Sequence, residues 1–496
     1  MNIVALPLLI PFALAIILLL FRSSALSRWV GSLGSFAIFI ASLYLFSKLQ
    51  NNGILTLNMG GWDAPFGIVL VIDYLSALML VVSSFILVVV SLFALRFLND
   101  EIPLHRFYFF FFTLAMGMNG AFITGDVFNL YVWFEVMLIS SFVLITMGKK
   151  KEQLEGGIKY LALNLIGSFL FLAGLGLLYG KTGTLNMAHL AEILRNDNQA
   201  VLMNTSGILF FMAFGIKAAV FPLYFWLPSS YHTPNITITT LFAGLLTKVG
   251  VYTFIRFFTL FFVQDQPFWH NLLLITAGFT MVVGGMAAAS YYETRRILSY
   301  HIISQIGYMI MGLGIFTPLA IAGAVFFTLH NMIAKTGTFV ASGMIAKIKG
   351  TYQLKEIGGL YKDNPLLAVL FIIPAFALAG IPPLSGFFAK FMLIKAGFEN
   401  GNYIITAVAL FTGLLTLYSM IKIWNEAFLK KQPDCQENKV DIKLAWPDYV
   451  PLILLASASV FMGIFAASVF SYTMEAANQL IEPSQYINSV LNNKMP

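Results

Sequence analysis

The 496-residue chain contains one cysteine, Cys435. A lone thiol excludes an internal disulfide framework, a cysteine-ligated zinc site and a four-cysteine iron–sulfur cluster. Charge is scarce too. Asp, Glu, Lys and Arg make up 10% of the residues, where a soluble domain carries about 25%. No polar stretch is long enough to fold as a soluble catalytic domain. A nucleotide loop is also missing: GLGLLYGKTG, residues 174–183, lacks the required glycine spacing before GKT and ends an apolar run.

Apolar sequence fills the chain instead, at 59% hydrophobic residues. About 14 apolar runs reach membrane-spanning length. They begin near Ile3, Val30, Leu70, Phe107, Val127, Gly157, Ser206, Ile236, Leu272, Ile297, Leu319, Pro365, Ile404 and Tyr449. The fold class is therefore an all-α polytopic membrane protein. The first run, Val4 to Phe21, has no basic start and no small-residue cleavage site, so it reads as a retained transmembrane helix. Gln50 to Ile68, rich in Gly, Asn and Pro, has room for a hairpin, and NMAHLAEILRN has the spacing of a short surface helix. Lys and Arg number 17 in the loops on one side and 4 on the other, namely Lys48, Lys181, Arg195 and Lys494. That bias makes the rich side cytoplasmic and puts both termini outside. The net charge of +7 follows from this topology, and no nucleic-acid surface is expected.

A few charges sit where hydrocarbon should be. Lys159, Arg256, Lys395 and Lys422 lie near run ends and are expected to snorkel. Lys217, Lys248, Lys335 and Lys390 lie deeper, and Glu135 stands alone in NLYVWFEVMLISSF. A charge at a helix centre costs about 2.5–3.5 kcal/mol, so these five cost on the order of 10–17 kcal/mol uncompensated. Compensation means facing inward, pairing or touching water. The expectation is a file of titratable groups through the membrane; the alternative is a scaffold whose ion pairs only lock helices together.

Two runs carry helix breakers beside a lysine. Pro222 and Pro228 follow Lys217, and Gly380, Pro382 and Pro383 precede Lys390. Proline removes a backbone donor, and the freed backbone is tolerated at membrane depth only inside protein or beside water. These are the seventh and twelfth runs, five apart. The offset implies a five-helix unit used twice, helices 4–8 and 9–13, the second copy inverted because five is odd. The expected division is 1–105 for helices 1–3, 106–262 for the first repeat and 263–430 for the second. Residues 431–496 then hold a cytoplasmic loop, helix 14 and the tail.

WFEVMLISS, GIKAAVFPLYFWLP, RRILSYHIISQIGYMIMG, HNMIAKTGTF and AGIPPLSGFFAK resemble the antiporter-like membrane subunits shared by respiratory complex I and Mrp-type Na+/H+ antiporters. The resemblance spans roughly residues 70 to 430 and implies 14 helices with two inverted repeats, broken at helices 7 and 12. By its motifs, Glu135 and Lys217 are the pair of a first half-channel, Lys248 a connecting lysine, His330 and Lys335 a relay, and Lys390 the terminal lysine. His301 and Ser304 are further candidate relays, since Gln305 occupies a position that often titrates in complex I subunits. WFEVMLISS and HNMIAKTGTF are most similar to the D-type subunits of Mrp antiporters, and the short sequence after the last helix fits that type. The alternative is a proton-pumping subunit of a complex I-type NADH:quinone oxidoreductase or membrane-bound hydrogenase. The resemblance also implies a secondary transporter subunit of a bacterial plasma membrane, working with an A-type antiporter-like subunit, a small C-type subunit and others. Na+ and H+ are the expected transported ions. No cofactor is implied, and no motif locates a sodium site.

A carboxylate beside an ammonium favours the charged form, so Lys217 is expected to hold its proton while Glu135 is close and to release it when the pair opens. Imidazole at His330 is a natural shuttle toward Lys390. If Lys390 carries protons, arginine should fail there, because it keeps the charge but does not release its proton. Sodium/proton exchange measured at matched membrane levels should be lost in Lys390→Ala and Lys390→Arg and partly kept in Lys390→His. An active arginine variant would show that only the charge matters.

Overall fold

The computed structural model describes residues 3–98, 101–195, 200–433 and 443–491. Cys435, Lys439 and Lys494 lie outside the described residues. Six long helices come first: α1 (Leu6–Leu20), α2 (Ser24–Asn52), α3 (Tyr74–Phe97), α4 (Leu104–Ile123), α5 (Val127–Thr146) and α6 (Lys151–Thr182). A short α7 (Met187–Arg195) leads to α8 (Ala200–Ala218), α9 (Trp226–Tyr231) and α10 (Ile236–Leu260). Then follow α11 (Gln266–Ser290), α12 (Thr294–Ile315), α13 (Pro318–Lys349) and the single turn α14 (Leu360–Asp363). The chain continues through α15 (Pro365–Ala379), α16 (Ser385–Glu399), α17 (Tyr403–Trp424), α18 (Trp446–Ile464), α19 (Ala466–Ile481) and α20 (Ser484–Leu491).

Among the described residues, 12 helices are long and apolar enough to cross a membrane. Two further spans are built from pieces: α8 with α9, and α15 with α16. The total is fourteen, as expected. Polar residues set the helix starts. Asp73, Asp126 and Asn235 each accept a backbone N–H of the first turn, at 2.9, 2.7 and 2.8 Å, satisfying donors a helix cannot satisfy itself. Met187–Arg195 of that predicted surface helix forms α7, capped by the Asn186 side chain; Asn196 lies outside the described residues.

The third span starts later than the apolar run suggests. Val69–Ile72 is strand β2, paired antiparallel with β1 (Leu55–Asn58) so that Leu55 faces Ile72. A run of β-branched and large apolar residues suits a strand as well as a helix, and the Asp73 cap decides where helix begins. The hairpin is therefore real but reaches past Ile68.

The snorkelling expectation holds for two of four residues. Lys159 and Lys395 are exposed and pair with Glu155 and Glu399 one turn away. Arg256 does not snorkel. It is buried and meets Asp73 with two bonds of 2.6 and 2.8 Å, with the Tyr486 ring of α20 packed 5.3 Å away. Nor does Lys422, which is buried and donates to the carbonyls of Ala289 and Tyr291 at 2.7 and 2.6 Å. In each case a partner from a distant helix removes the reason to reach for the interface.

α10 is buried over its whole length, and α13 almost so. A helix apolar on all sides belongs in the centre of a bundle. Large side chains of α2, α6 and α17, such as Phe36, Phe169 and Leu414, are exposed and face outward, as lipid contact requires.

Removing one member of a buried ion pair leaves an uncompensated charge, whereas replacing both can be neutral. Asp73→Ala should lower stability by roughly 3–5 kcal/mol. The double change Asp73→Leu with Arg256→Met should recover most of that loss, read as the thermal unfolding midpoint in detergent. A double variant no better than the single would show the pair itself is required.

Candidate functional site

The first break follows the last turn of α8. Lys217 lies in that turn, Ala219 takes a left-handed backbone (φ 61°), and Pro222 lies in the unwound segment before α9. Pro228 is not part of the break: it sits in the first turn of α9, where a missing N–H costs nothing. The freed backbone is satisfied by side chains. The Trp226 indole donates to the Ile216 carbonyl at 2.8 Å, and the Phe221 N–H donates to Thr280 Oγ1 at 2.9 Å.

Lys217 Nζ points to the Asn164 carbonyl at 3.4 Å and Ser168 Oγ at 3.5 Å, both on α6, and lies 5.5 Å above the Phe134 ring. No ion pair joins it to Glu135. Glu135 is partly buried on α5, close enough to act electrostatically on Lys217, yet its Oε1 has no hydrogen-bond partner. The expected pair is thus in proximity but open. A cavity of about 20 Å³ beside Lys217, lined also by Tyr160, Asn164 and Trp226, has room for about one water.

Lys248 and Lys335 are fully buried on the two central helices. Lys248 Nζ donates to the Ala243 carbonyl at 2.6 Å, and Lys335 Nζ to the Leu298 carbonyl of α12 at 3.4 Å. Among the described residues, neither touches a carboxylate.

The second break lies between α15 and α16. Gly380 closes α15 in the left-handed region (φ 91°), and Pro382 and Pro383 lie in the linker. Lys390, one helix further on, reaches back to the end of α15. Its Nζ donates to the carbonyls of Leu378 at 2.9 Å and Ala379 at 3.0 Å, and lies 5.2 Å from the Tyr308 ring. The lysine and the break are therefore one structure: the ammonium fills acceptors that only a terminated helix exposes.

His330 on α13 meets the same break. Its Nδ1 lies 2.8 Å from Ser385 Oγ, which lies 3.2 Å from Ser459 Oγ on α18. Its Nε2 has no partner. His301 and Ser304 on α12 are fully buried, and neither ring nitrogen nor the hydroxyl has a partner. Gln305, beside them, donates to Thr416 Oγ1 at 3.3 Å but leaves Oε1 unpaired, and both side-chain atoms of Asn331 are unpaired. Buried polar atoms of native proteins are almost always hydrogen-bonded, so this cluster calls for water.

Ser385, Ser459, Asn331, Tyr308 and the Asn164–Ser168 cradle are not evident from sequence reasoning. Ser385 had a signal, since it adjoins the Pro-Pro break. Ser459, in the ordinary apolar run LLASASVF, had none.

Discontinuous helices at matching places of inverted repeats, each beside a buried lysine, define the architecture of ion-translocating membrane proteins. A family model described as NADH:quinone oxidoreductase/Mrp antiporter, TM, matches residues 124–416. The chain is 47% identical over 491 residues, 99% of each sequence, to the D-type subunit of a Na(+)/H(+) antiporter from Alkalihalophilus pseudofirmus. The chain belongs to this NADH:quinone oxidoreductase/Mrp antiporter family. Its fold matches a chain in the Mrp complex from a Dietzia species with a TM-score of 0.91 at 27% identity, covering 99% of both chains. Against respiratory complex I from Thermus thermophilus the TM-score is 0.83 at 23% identity, covering 96% of this chain and 99% of that one, a likeness of fold alone.

Gly386 shows how tightly the second break is built. A Cβ there would collide with the Ala377 carbonyl and come within 2.8 Å of His330 Nε2. Gly386→Ala should therefore displace the break or His330 and abolish cation/proton exchange, while Gly176→Ala, with open space around it, should leave exchange unchanged. Vesicle exchange assays at matched membrane levels check both. An active Gly386→Ala variant would mean that the helix junction is not part of the path.

Proposed function

We propose that this chain is the proton-translocating subunit of a multisubunit Na+/H+ antiporter, a secondary transporter and not an enzyme that makes or breaks bonds. It works beside other membrane subunits, an A-type antiporter-like subunit and a small C-type subunit among them, in a bacterial plasma membrane with both termini outside. The observation that carries this reading is the row of buried titratable side chains. It runs from Lys217 at one break through Lys248, Lys335 and His330 to Lys390 at the other. The name of the relative from Alkalihalophilus pseudofirmus supports sodium/proton exchange over quinone-linked pumping.

The chemistry follows from the contacts. Lys217 can hold a proton against Glu135 when the two meet, and against Asn164 and Ser168 when they part, as here. Opening the pair removes the attraction that keeps the ammonium charged, which favours release. Lys248, Lys335 and Lys390 find carbonyls and no carboxylates. Like charges disfavour one another at short range, so loading one lysine favours unloading the next. Water on the unpaired atoms of His301, Ser304, Gln305 and Asn331 supplies the links between them. Helices 1–3 (1–105), two repeats (106–262 and 263–430) and the C-terminal segment (431–496) then act as a brace, two half-channels and a cover.

Glu135→Ala should insert normally but show no sodium-dependent change of the proton gradient in inverted vesicles carrying the whole complex. Exchange at the unmodified rate would overturn the pairing. The chain alone in proteoliposomes should not exchange; robust exchange there would overturn its role as one component among several.

A further inference from the structure

We propose that a groove between α1, α4 and α5, at the basic end of the bundle, binds the headgroup of an anionic phospholipid. The groove holds about 450 Å³. Leu19, Phe109 and Val143 form its walls, and Arg22, Arg106 and Lys149 its rim. Arg22 follows the end of α1, Arg106 lies in the first turn of α4 and Lys149 follows α5, so the three cations reach one groove from the ends of three helices.

Their charge is unspent. None of the three forms an ion pair among the described residues. The larger pocket on the same side, about 600 Å³, is different. There Arg96 meets Asp448 at 2.8 Å, Lys347 meets the same carboxylate at 3.6 Å, and Arg295 meets Glu293 at 3.4 Å. Arg22 and Arg106 also act electrostatically on His105, which lines the groove with them. A second feature favours an anion. α4 begins after Pro103 with no side-chain cap, and His105 and Arg106 of its first turn line the groove, so the positive end of the helix lies beside it.

A free phosphate and a lipid phosphate share this chemistry; the walls favour the lipid. Leu19, Leu20 and Phe21 are 55%, 68% and 57% exposed, so the groove opens sideways onto apolar surface that acyl chains would cover. Basic pockets between helices on the cytoplasmic side suit anionic lipids because that leaflet is itself anionic. Lys149, held in a left-handed backbone (φ 56°), closes the rim from the α5 side. The bound lipid would brace α5, the helix that carries Glu135.

The test uses the purified complex, stripped of lipid and then supplied with phosphatidylglycerol, phosphatidylcholine or inorganic phosphate. Phosphatidylglycerol should raise the thermal midpoint by several degrees, with phosphatidylcholine and phosphate giving little. Arg22→Gln, Arg106→Gln and Lys149→Gln combined should weaken the phosphatidylglycerol response at least about tenfold in lipid concentration. Arg22→Lys, Arg106→Lys and Lys149→Arg combined should retain it, which separates lost charge from a damaged fold. An equal response to phosphatidylcholine or to phosphate, or an unchanged response in the glutamine variant, would overturn the proposal. So would a complex indifferent to phosphatidylglycerol, the result expected if a partner helix fills the groove.

Discussion

An ammonium group inside a bilayer must find oxygen, and at Lys390 that oxygen belongs to a helix that has been cut. The carbonyls of Leu378 and Ala379 are free because α15 ends at Gly380 and the Pro-Pro linker prevents its continuation. Either feature alone would be expensive: a buried charge without acceptors, or buried acceptors without a donor. Together they cancel. Gly386 against the Ala377 carbonyl, His330 on Ser385, and Ser385 on Ser459 are all arranged around that junction.

The two halves solve one problem with different chemistry. In the first, the broken helix is sealed by the Trp226 indole and by Thr280, and its lysine is free to turn toward α6 and Glu135. In the second, the lysine itself seals the break and, among the described residues, pairs with no carboxylate. The first lysine can change partner without exposing the backbone. The second cannot leave without uncovering two carbonyls, so water must take its place when it moves. The asymmetry gives the two ends of the row different proton-holding environments within one repeated architecture.

The ion pairs among the described residues lie away from this row. Asp73 and Arg256 tie the hairpin side of α3 to α10 under α20, and Asp448 ties Arg96 and Lys347 together at the opposite end of the bundle. Clamps at both ends leave the middle to polar groups that are incompletely paired. Buried polar groups without protein partners call for water, and a site that must exchange protons needs that.

Much of this was legible in the residues. Apolar length sets the spans, since hydrocarbon demands self-satisfied backbone and only helices supply it in an open chain. Isolated charges and paired prolines mark the row and its two breaks, because each is too costly in lipid to persist without a role. The sequence alone determined fourteen spans, two discontinuities and the lysines beside them. Partnership was decided only by the tertiary structure. Asp73 and Arg256 stand 183 residues apart, and Ser385 and Ser459 stand 74 apart, and no residue of either pair names the other. It also decided that Val69–Ile72 pairs as a strand, that Lys422 caps α11 and does not snorkel, and that Lys217 rests on α6 while Glu135 waits unpaired. A sequence records which groups need a partner in a low dielectric; packing alone says which group is near enough to be one.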